Sequence, residues 1–535
     1  MKVSTPRPPT TVVNPISLDA PPVPASTTFQ LSELLAGLGR LATPPWTDPV
    51  IRGLSDDSRI AGPGDLFLAR SGDPAADRAH LAAAIDAGVV AVAAPSASLE
   101  DFVAARPVAV FAIDDASPRS WVGEIAARFH GRPGAALAAV GVTGTNGKTT
   151  VAWLLRDLLR SVGVRCGLVG TVAIDDGRGS RPATLTTPGA LELQATLGRM
   201  VEAGCGAAAI EVSSHALDQG RVAGVPFRVG VFTNLSGDHL DYHGSMEAYA
   251  AAKRRLFEGL DAGATAIVNA GDPASAAMVR TTAAGVLGFA VGEGPAEIRG
   301  SIRALSAEGA DLAIASPWGG GEVRLPLTGR HNVENALAAF AAAMVVLGDD
   351  SPGTDRVVEA LGTATAPPGR FERIAVPEGR FTVLVDYAHT DDALARALAA
   401  LRPLLPEGAR LTAVFGCGGD RDRGKRPRMA AAACGQADRV IVTSDNPRTE
   451  DPAAIVEEVL AGVPASAAGR VASEVDRAVA IAKAIDEAEE GDIVLIAGKG
   501  HEDHQIVGDE RRDFDDRRVA ALAVADRFGE AAAHR

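Results

Sequence analysis

The stretch Gly141-Val142-Thr143-Gly144-Thr145-Asn146-Gly147-Lys148-Thr149-Thr150 is built for phosphate chemistry. Glycines let backbone amides converge on phosphate oxygens, and a helix opening just after them adds its partial positive charge. Lys148 reaches the β- and γ-phosphates, and the Thr149 hydroxyl can ligate Mg2+. A strict phosphate loop would carry glycine where Val142 stands, so this is a variant with Gly144 inside it. A glycine-rich turn with a solvated lysine is the bland alternative. The joint occurrence of apolar strand, loop, Gly-Lys-Thr-Thr and amphipathic helix predicts nucleotide binding instead. The loop alone leaves GTPase, kinase, ATPase and ligase open.

Other groups fall at the ends of apolar runs. Glu211 ends one and opens Glu211-Val-Ser213-Ser214-His215-Ala-Leu217, which places a carboxylate at a strand tip where it can bind Mg2+. Asp238-His239-Leu240-Asp241 follows the next run, and open α/β sheets collect ligands along that edge. Lys253-Arg254-Arg255 lies within a helical pattern over residues 246–256 and by periodicity reads as a solvated face. Later, the basic segment from Gly418 to Pro427 and Asp445-Asn446-Pro447-Arg448 each follow a strand-like run, and either alone reads as an exposed turn.

The elements that must position these groups are those of an α/β protein. The chain has 535 residues, enough for three or four domains, and 47% hydrophobic with 22% charged residues excludes disorder over most of it. A net charge of −15 gives no broad positive field, so nucleic acid is not an expected partner and anionic ligands must be held by local groups. The longest apolar run, residues 336–347, is well short of the roughly 20 residues that span a bilayer, so no membrane insertion is expected. No signal segment opens the chain, and Cys166, Cys205, Cys417 and Cys434 lack any paired spacing, which predicts reduced thiols in the cytoplasm.

Prolines crowd residues 1–28, read as a disordered tail. Residues 29–135 form a small α/β domain, with helices at 79–87 and 120–129 and strands at 89–93 and 108–113. Residues 136–364 read as a central P-loop domain with a mostly parallel sheet, with strands at 137–142, 207–212, 229–233 and 264–269 and a helix at 149–161. Residues 365–535 form a Rossmann-like α/β domain with strands at 381–386, 410–415, 439–443 and 492–496.

The phosphate loop, Glu211 to Leu217, Thr233-Asn-Leu-Ser-Gly-Asp-His-Leu-Asp-Tyr-His243 and Ala251-Ala-Lys253 resemble the Mur ligase family in order and spacing. So do Gly329-Arg-His-Asn332-Val-Glu-Asn335, Pro368-Gly-Arg370, Asp386-Tyr-Ala-His389 and Gly498-Lys-Gly-His-Glu502. The likeness runs from Leu54 to Glu502 and is greatest to the branch that adds the third amino acid of the peptidoglycan stem. It implies that ATP is bound by Gly144, Thr145, Asn146, Gly147, Lys148, Thr149 and Thr150, with Asn332, Arg370 and Asp386 contributing from further along the chain. Arg370 is then the guanidinium near the γ-phosphate. It also implies that Lys253 is carbamylated to N6-carboxylysine, an anionic ligand for Mg2+ beside Thr149, Glu211 and His239. That chemistry needs a neutral amine, hence a lowered lysine pKa near other cations.

The same resemblance gives Ser58 to the uridine end of the substrate, although Gly72-Asp-Pro-Ala-Ala-Asp77-Arg78 departs from the family's loop by placing Arg78 where glycine is expected. Thr186, Thr187, Ser213, Gln219 and Arg221 match positions that grip the muramoyl-dipeptide. Arg421, Asp445, Asn446, Pro447, Arg448, Gly498 and Glu502 resemble a pocket for meso-diaminopimelate, whose two carboxylates and two ammonium groups call for arginines and carboxylates together. Relatives that use lysine generally lack the arginine of Asp-Asn-Pro-Arg, so Arg448 favours diaminopimelate.

The implied reaction is ATP-dependent amide formation. The D-glutamyl carboxylate of UDP-N-acetylmuramoyl-L-alanyl-D-glutamate attacks the γ-phosphate, with Lys148, Arg370 and Mg2+ neutralising charge. The acyl phosphate is then attacked by the diaminopimelate amine, and closure of the third domain excludes water. The chain is expected to act as a monomer. The alternatives are the same ligase adding L-lysine, a folylpolyglutamate synthetase-like ligase, and a non-catalytic GTPase-like switch.

Overall fold

The computed structural model describes residues 28–41, 48–100, 102, 108–114, 120–348, 353–377 and 379–529, so the expected tail lies outside the described residues apart from Thr28. The described chain gathers into two compact units. The first runs to Ala290 and includes Gly294–Ile298 and Ala338–Val357; the second holds Val291–Glu293, Arg299–Leu337 and the chain from Val358 onward.

The first unit begins with a five-stranded sheet in the order Gly39–Leu41, Ala109–Ile113, Ala91–Pro95, Asp65–Leu68, Gly53–Ser55, parallel but for the first strand. Every residue of Ala109–Ile113 is buried. Apolar side chains cover both faces, with Trp121, Val122 and Ile125 on one and Leu81, Ala84 and Ile85 on the other. Helix Pro74–Asp86 starts where Asp73 accepts a hydrogen bond from the Ala75 amide and proline fills the first turn.

The central sheet of this unit runs Ser180–Pro182, Ala173–Asp175, Cys166–Val169, Ala207–Glu211, Ala138–Thr143, Val229–Phe232, Thr265–Asn269, Gly285–Val291. From Cys166–Val169 onward the pairs are parallel. Glu211 registers with Val142 and Phe232 with Thr143, so three strands end side by side and their loops share one edge. The four strands expected here all form. The hairpin of Ala173–Asp175 with Ser180–Pro182 was not anticipated, because its outer strand is short, polar and fully exposed.

In the second unit, residues 299–325 form an antiparallel meander. In this segment Ala307 packs in one core with Phe371 and Leu384, and Gly321 backs onto Val358. The main sheet runs Glu372–Ile374, Thr382–Asp386, Ile493–Ala497, Leu411–Cys417, Arg439–Ser444, Val471–Ser473, parallel but for the first strand. Helices cover both faces and bury Leu394, Leu398, Met429 and Val459 on one, and Ile481, Ile485, Ala520 and Val524 on the other. Among the described residues no helix is long and apolar enough to cross a membrane.

Arg477 pins the ends of two of these strands. Its guanidinium, fully buried, meets the Asp516 carboxylate at 2.7 Å and donates to the carbonyls of Ser444 (3.1 Å) and Ala497 (3.0 Å). Removing one partner of a buried pair leaves an uncompensated charge, so Asp516→Ala is expected to destabilise this unit by about 3–5 kcal/mol, whereas Arg477→Met/Asp516→Leu should cost far less. Denaturant midpoints of the three proteins check this, and a single variant as stable as the double would contradict it.

Candidate active site

The loop after Ala138–Thr143 turns on two glycines with positive φ, 146° at Gly144 and 85° at Gly147, and Lys148 begins the helix Lys148–Ser161. A Cβ on Gly144 would lie 1.9 Å from Thr233 Oγ1, so only glycine allows the neighbouring strand end to approach. Thr233 and Asn234 are strapped to the loop: Thr233 Oγ1 donates to the Asn146 carbonyl at 2.6 Å, and the Asn146 amide donates to Asn234 Oδ1 at 2.9 Å. Lys148 Nζ folds back onto the carbonyls of Gly144 (3.0 Å) and Thr145 (2.8 Å).

Glu211, 1% exposed, accepts hydrogen bonds from Thr149 Oγ1 (2.9 Å), the Thr171 amide (2.7 Å) and Thr171 Oγ1 (3.0 Å). Its backbone carbonyl takes the Thr187 hydroxyl at 2.7 Å. Lys253 is also 1% exposed, donates to the Gly144 carbonyl at 2.7 Å and lies 4.3 Å over the Tyr249 ring. Tyr249 in turn pairs its hydroxyl with Thr145 Oγ1 at 3.2 Å. Burial, reinforced by Lys148, drives the Lys253 pKa well below the usual lysine value against the opposing pull of Asp238.

The solvated-face reading of Lys253-Arg254-Arg255 is thus corrected for Lys253. Arg254 and Arg255 reach outward to Glu258 and Asp218, but Tyr249, Ala252, Lys253, Leu256 and Phe257 make up the buried stripe of helix Met246–Glu258. That stripe follows helical spacing, so the periodicity itself held the signal.

His239 takes a left-handed conformation, faces Asp238 at 3.5 Å and packs edge-on against His215 at 4.8 Å. Among the described residues no three His, Cys, Asp or Glu side chains gather to hold a metal. The buried donors that do converge, the Glu211 carboxylate and Thr149 hydroxyl, are hard oxygens of the type Mg2+ selects, and a carbamate on Lys253 would be another.

Thr186, Thr187, Ser213, Gln219 and Arg221 form one hydrogen-bonded cluster beside Glu211. Thr171 Oγ1 meets Thr186 at 3.0 Å, the Ser213 amide donates to Thr187 Oγ1 at 3.1 Å, and Arg221 grips Gln219 Oε1 (2.6 Å) and the Thr187 carbonyl (2.9 Å). Ser58 lies half-buried in the turn after strand Gly53–Ser55. Arg78 sits on helix Pro74–Asp86, where its neighbour Asp77 is buried on Ser71 and Ser98.

In the second unit, Asp386 ends its strand buried, with its oxygens on the Phe371 and Ala388 amides, both at 3.0 Å. Burial raises its pKa, and Arg370 opposes that. Arg370 lies 4.8 Å over the Tyr387 ring, with its Nε buried and unpartnered among the described residues. Asn332 donates to the Thr328 carbonyl (2.9 Å) and accepts from Asn335 (3.1 Å).

Asp445, Asn446, Pro447, Arg448, Gly498 and Glu502 come together at the ends of Arg439–Ser444 and Ile493–Ala497. Asn446 Nδ2 donates to Glu502 at 2.9 Å, and a Cβ on Gly498 would lie 3.0 Å from the Asp445 carboxylate. Arg448, at φ 53°, donates to the Gly419 carbonyl at 2.7 Å, and Gly418 is flanked by the side chains of Arg448 and the exposed Arg421. Sequence reasoning missed Thr171 and Tyr249, which stand outside the glycine-rich motif, and Lys499, which lies inside a quoted one.

Residues 142–343 match the Mur ligase middle domain and residues 369–500 the Mur ligase glutamate ligase domain. A Synechococcus elongatus protein named UDP-N-acetylmuramoyl-L-alanyl-D-glutamate–2,6-diaminopimelate ligase is 45% identical over 482 residues, 90% of this chain and 95% of its own. The chain belongs to the Mur ligase family. A Chlorobaculum tepidum protein of the same name is 43% identical over 507 residues, 93% of this Mur ligase and 97% of that protein. A solved structure with that name in its title is 34% identical and covers 94% of this chain and 99% of its own, with a TM-score of 0.67. Mycobacterium tuberculosis folylpolyglutamate synthase, at 21% identity over 70% of this chain and 90% of its own, TM-score 0.54, shares the fold.

Two half-buried imidazoles give the second unit of this Mur ligase a pH signature. Burial pulls His331, packed 4.7 Å from Phe371, down to about 4, and burial with Arg370 nearby does the same to His501, packed 5.1 Å from Tyr387. Both are neutral in the fold and titrate near 6.5 once unfolded. Their contribution to stability is complete above about 6.5 and is lost as the pH falls toward 4. Denaturation midpoints at a series of pH values should show that loss, and His331→Phe should flatten it; an unchanged slope would exclude His331 as its source.

Proposed function

We propose that this Mur ligase couples ATP hydrolysis to an amide bond between meso-diaminopimelate and UDP-N-acetylmuramoyl-L-alanyl-D-glutamate, in cytoplasmic peptidoglycan precursor synthesis. The observation that carries the choice of amino acid is Arg448, held at the mouth of the cluster of Asp445, Asn446 and Glu502 with Arg421 beside Gly418. Two guanidinium groups suit two carboxylates, whereas lysine has only one. The relatives named as diaminopimelate ligases support the same reading.

The D-glutamyl carboxylate oxygen attacks the γ-phosphorus of ATP, the bond to the ADP oxygen breaks, and an acyl phosphate forms. The amine then attacks the acyl carbon, gives up a proton and expels inorganic phosphate. Activation is needed because a carboxylate is a poor electrophile with a poor leaving group. Lys148 and the amides of the glycine loop bind the phosphates and oppose the charge on the transferring group. Arg221, with Gln219 and the Thr187 hydroxyl, orients the acidic end of the muramoyl-dipeptide. Arg370 is the cation that the second unit offers for phosphate, held in place by the Tyr387 ring. Mg2+ would be held by Thr149, Glu211, His239 and a carbamate on Lys253, and when bound it offsets phosphate charge. Support for the carbamate is the buried Lys253 amine, whose lowered pKa favours the neutral form that attacks carbon dioxide. The enzyme is read as a monomer, with its four buried cysteines reduced.

Phosphate release with purified substrates tests the reaction. Diaminopimelate should support it, and Arg448→Leu should lower kcat/KM for diaminopimelate by about 10–100-fold, within the ~1.5–3 kcal/mol of a charge-assisted hydrogen bond, with little change for lysine. Equal wild-type rates with lysine and diaminopimelate would overturn the role of Arg448. Activity should also fall in carbon dioxide-depleted buffer and return with bicarbonate, while Lys253→Ala should not respond. A wild-type enzyme indifferent to bicarbonate, with no added mass on Lys253, would remove the carbamate.

A further inference from the structure

Lys499 is an unassigned charged residue in the amino-acid pocket. Its side chain is fully buried and its Nζ donates to Asn446 Oδ1 at 3.1 Å and Glu502 Oε2 at 3.2 Å, with Asp445 Oδ1 at 3.6 Å. The backbone is shaped to put it there. Gly498 and Gly500, at φ 118° and 53°, fold the chain tightly on either side, and a Cβ on Gly500 would strike the Tyr387 Cβ at 2.7 Å. Asn446 Oδ1 also accepts the Ile506 amide at 3.0 Å, so the amide oxygen is turned toward Lys499 and the amide nitrogen toward Glu502.

We propose that Lys499 is a specificity-determining residue that orients Asn446 and Glu502 and sets the pocket's charge to match a zwitterionic distal end. The inference rests on the diaminopimelate reading above. With the exposed Arg421 left to the other carboxylate, the distal end is faced by Asp445 and Glu502 with two formal negative charges and by Lys499 and Arg448 with two positive ones. The distal end of diaminopimelate is likewise neutral overall, one ammonium with one carboxylate. The distal end of lysine is a bare ammonium. Without Lys499 the same groups sum to a negative charge, which fits the bare ammonium better. Lys499 thus discriminates against lysine by placing a like charge beneath the ammonium site, where burial limits screening.

The test measures kcat/KM for diaminopimelate and for lysine, and KM for ATP, in four proteins: wild type, Lys499→Met, Asp445→Asn and Lys499→Met/Asp445→Asn. The expected result is at least a tenfold fall in the diaminopimelate-to-lysine ratio for Lys499→Met, with the ATP KM within twofold of wild type. Restoring neutrality in the double variant should bring the ratio back toward wild type. Should Lys499→Met not fold, Asp445→Asn and the double variant still differ only at Lys499, and the double variant should show the lower ratio. Equal ratios in those two proteins, or in wild type and Lys499→Met, would overturn the inference while leaving the diaminopimelate reading intact. A wild-type enzyme that releases no phosphate with diaminopimelate would overturn both.

Discussion

Glu211 is the point on which the phosphate-loop edge of the central sheet depends. Burying a carboxylate is costly unless hydrogen bonds replace its hydration. Here the replacement comes from the first turn of the phosphate-loop helix through Thr149 and from the Thr171 amide and hydroxyl. The backbone carbonyl of the same residue takes the Thr187 hydroxyl, so three segments are indexed to one residue. The parallel register does the rest by ending the strands of Glu211, the phosphate loop and Thr233 side by side. No single motif is a site until that edge assembles.

An acidic protein needs local cations to meet anions. With a net charge of −15 the global field repels nucleotides and carboxylates, so attraction must be local. The candidates for it are Lys148, Arg221 and the loop amides in one unit, and Arg370, Arg421 and Arg448 in the other. Arg370 lies over Tyr387 and Arg448 is tied to Gly419, which holds both cations in place before a ligand arrives.

What could be read from the sequence was what is local. Strand, glycine turn and helix follow one another within a few residues, and the helix starts at Lys148, one residue before the expected 149. The parallel strands were legible because burial on both faces makes them short, continuous apolar runs, as in Ile493–Ala497. The meander of residues 299–325 was not, because glycines at 309, 319, 320 and 321 and half-exposed positions blur its alternation. Thr171 was missed for another reason: its role comes from a strand neighbour forty residues away, which no local spacing encodes.

Asp386 and Asn332 show how residues of a motif are also tied into the fold around them. Both were expected to contact ATP. In the structure the Asp386 oxygens are taken by the Phe371 and Ala388 amides, and the Asn332 side chain by Thr328 and Asn335. Each side chain has partners that shape the backbone around it. The Asp386 carboxylate fixes the turn at Phe371, whose positive φ no preference of phenylalanine would produce, and that turn carries Arg370. The Asp386 carboxylate thus holds the segment that carries Arg370, and its oxygens keep further acceptor capacity for the ATP contact expected of it.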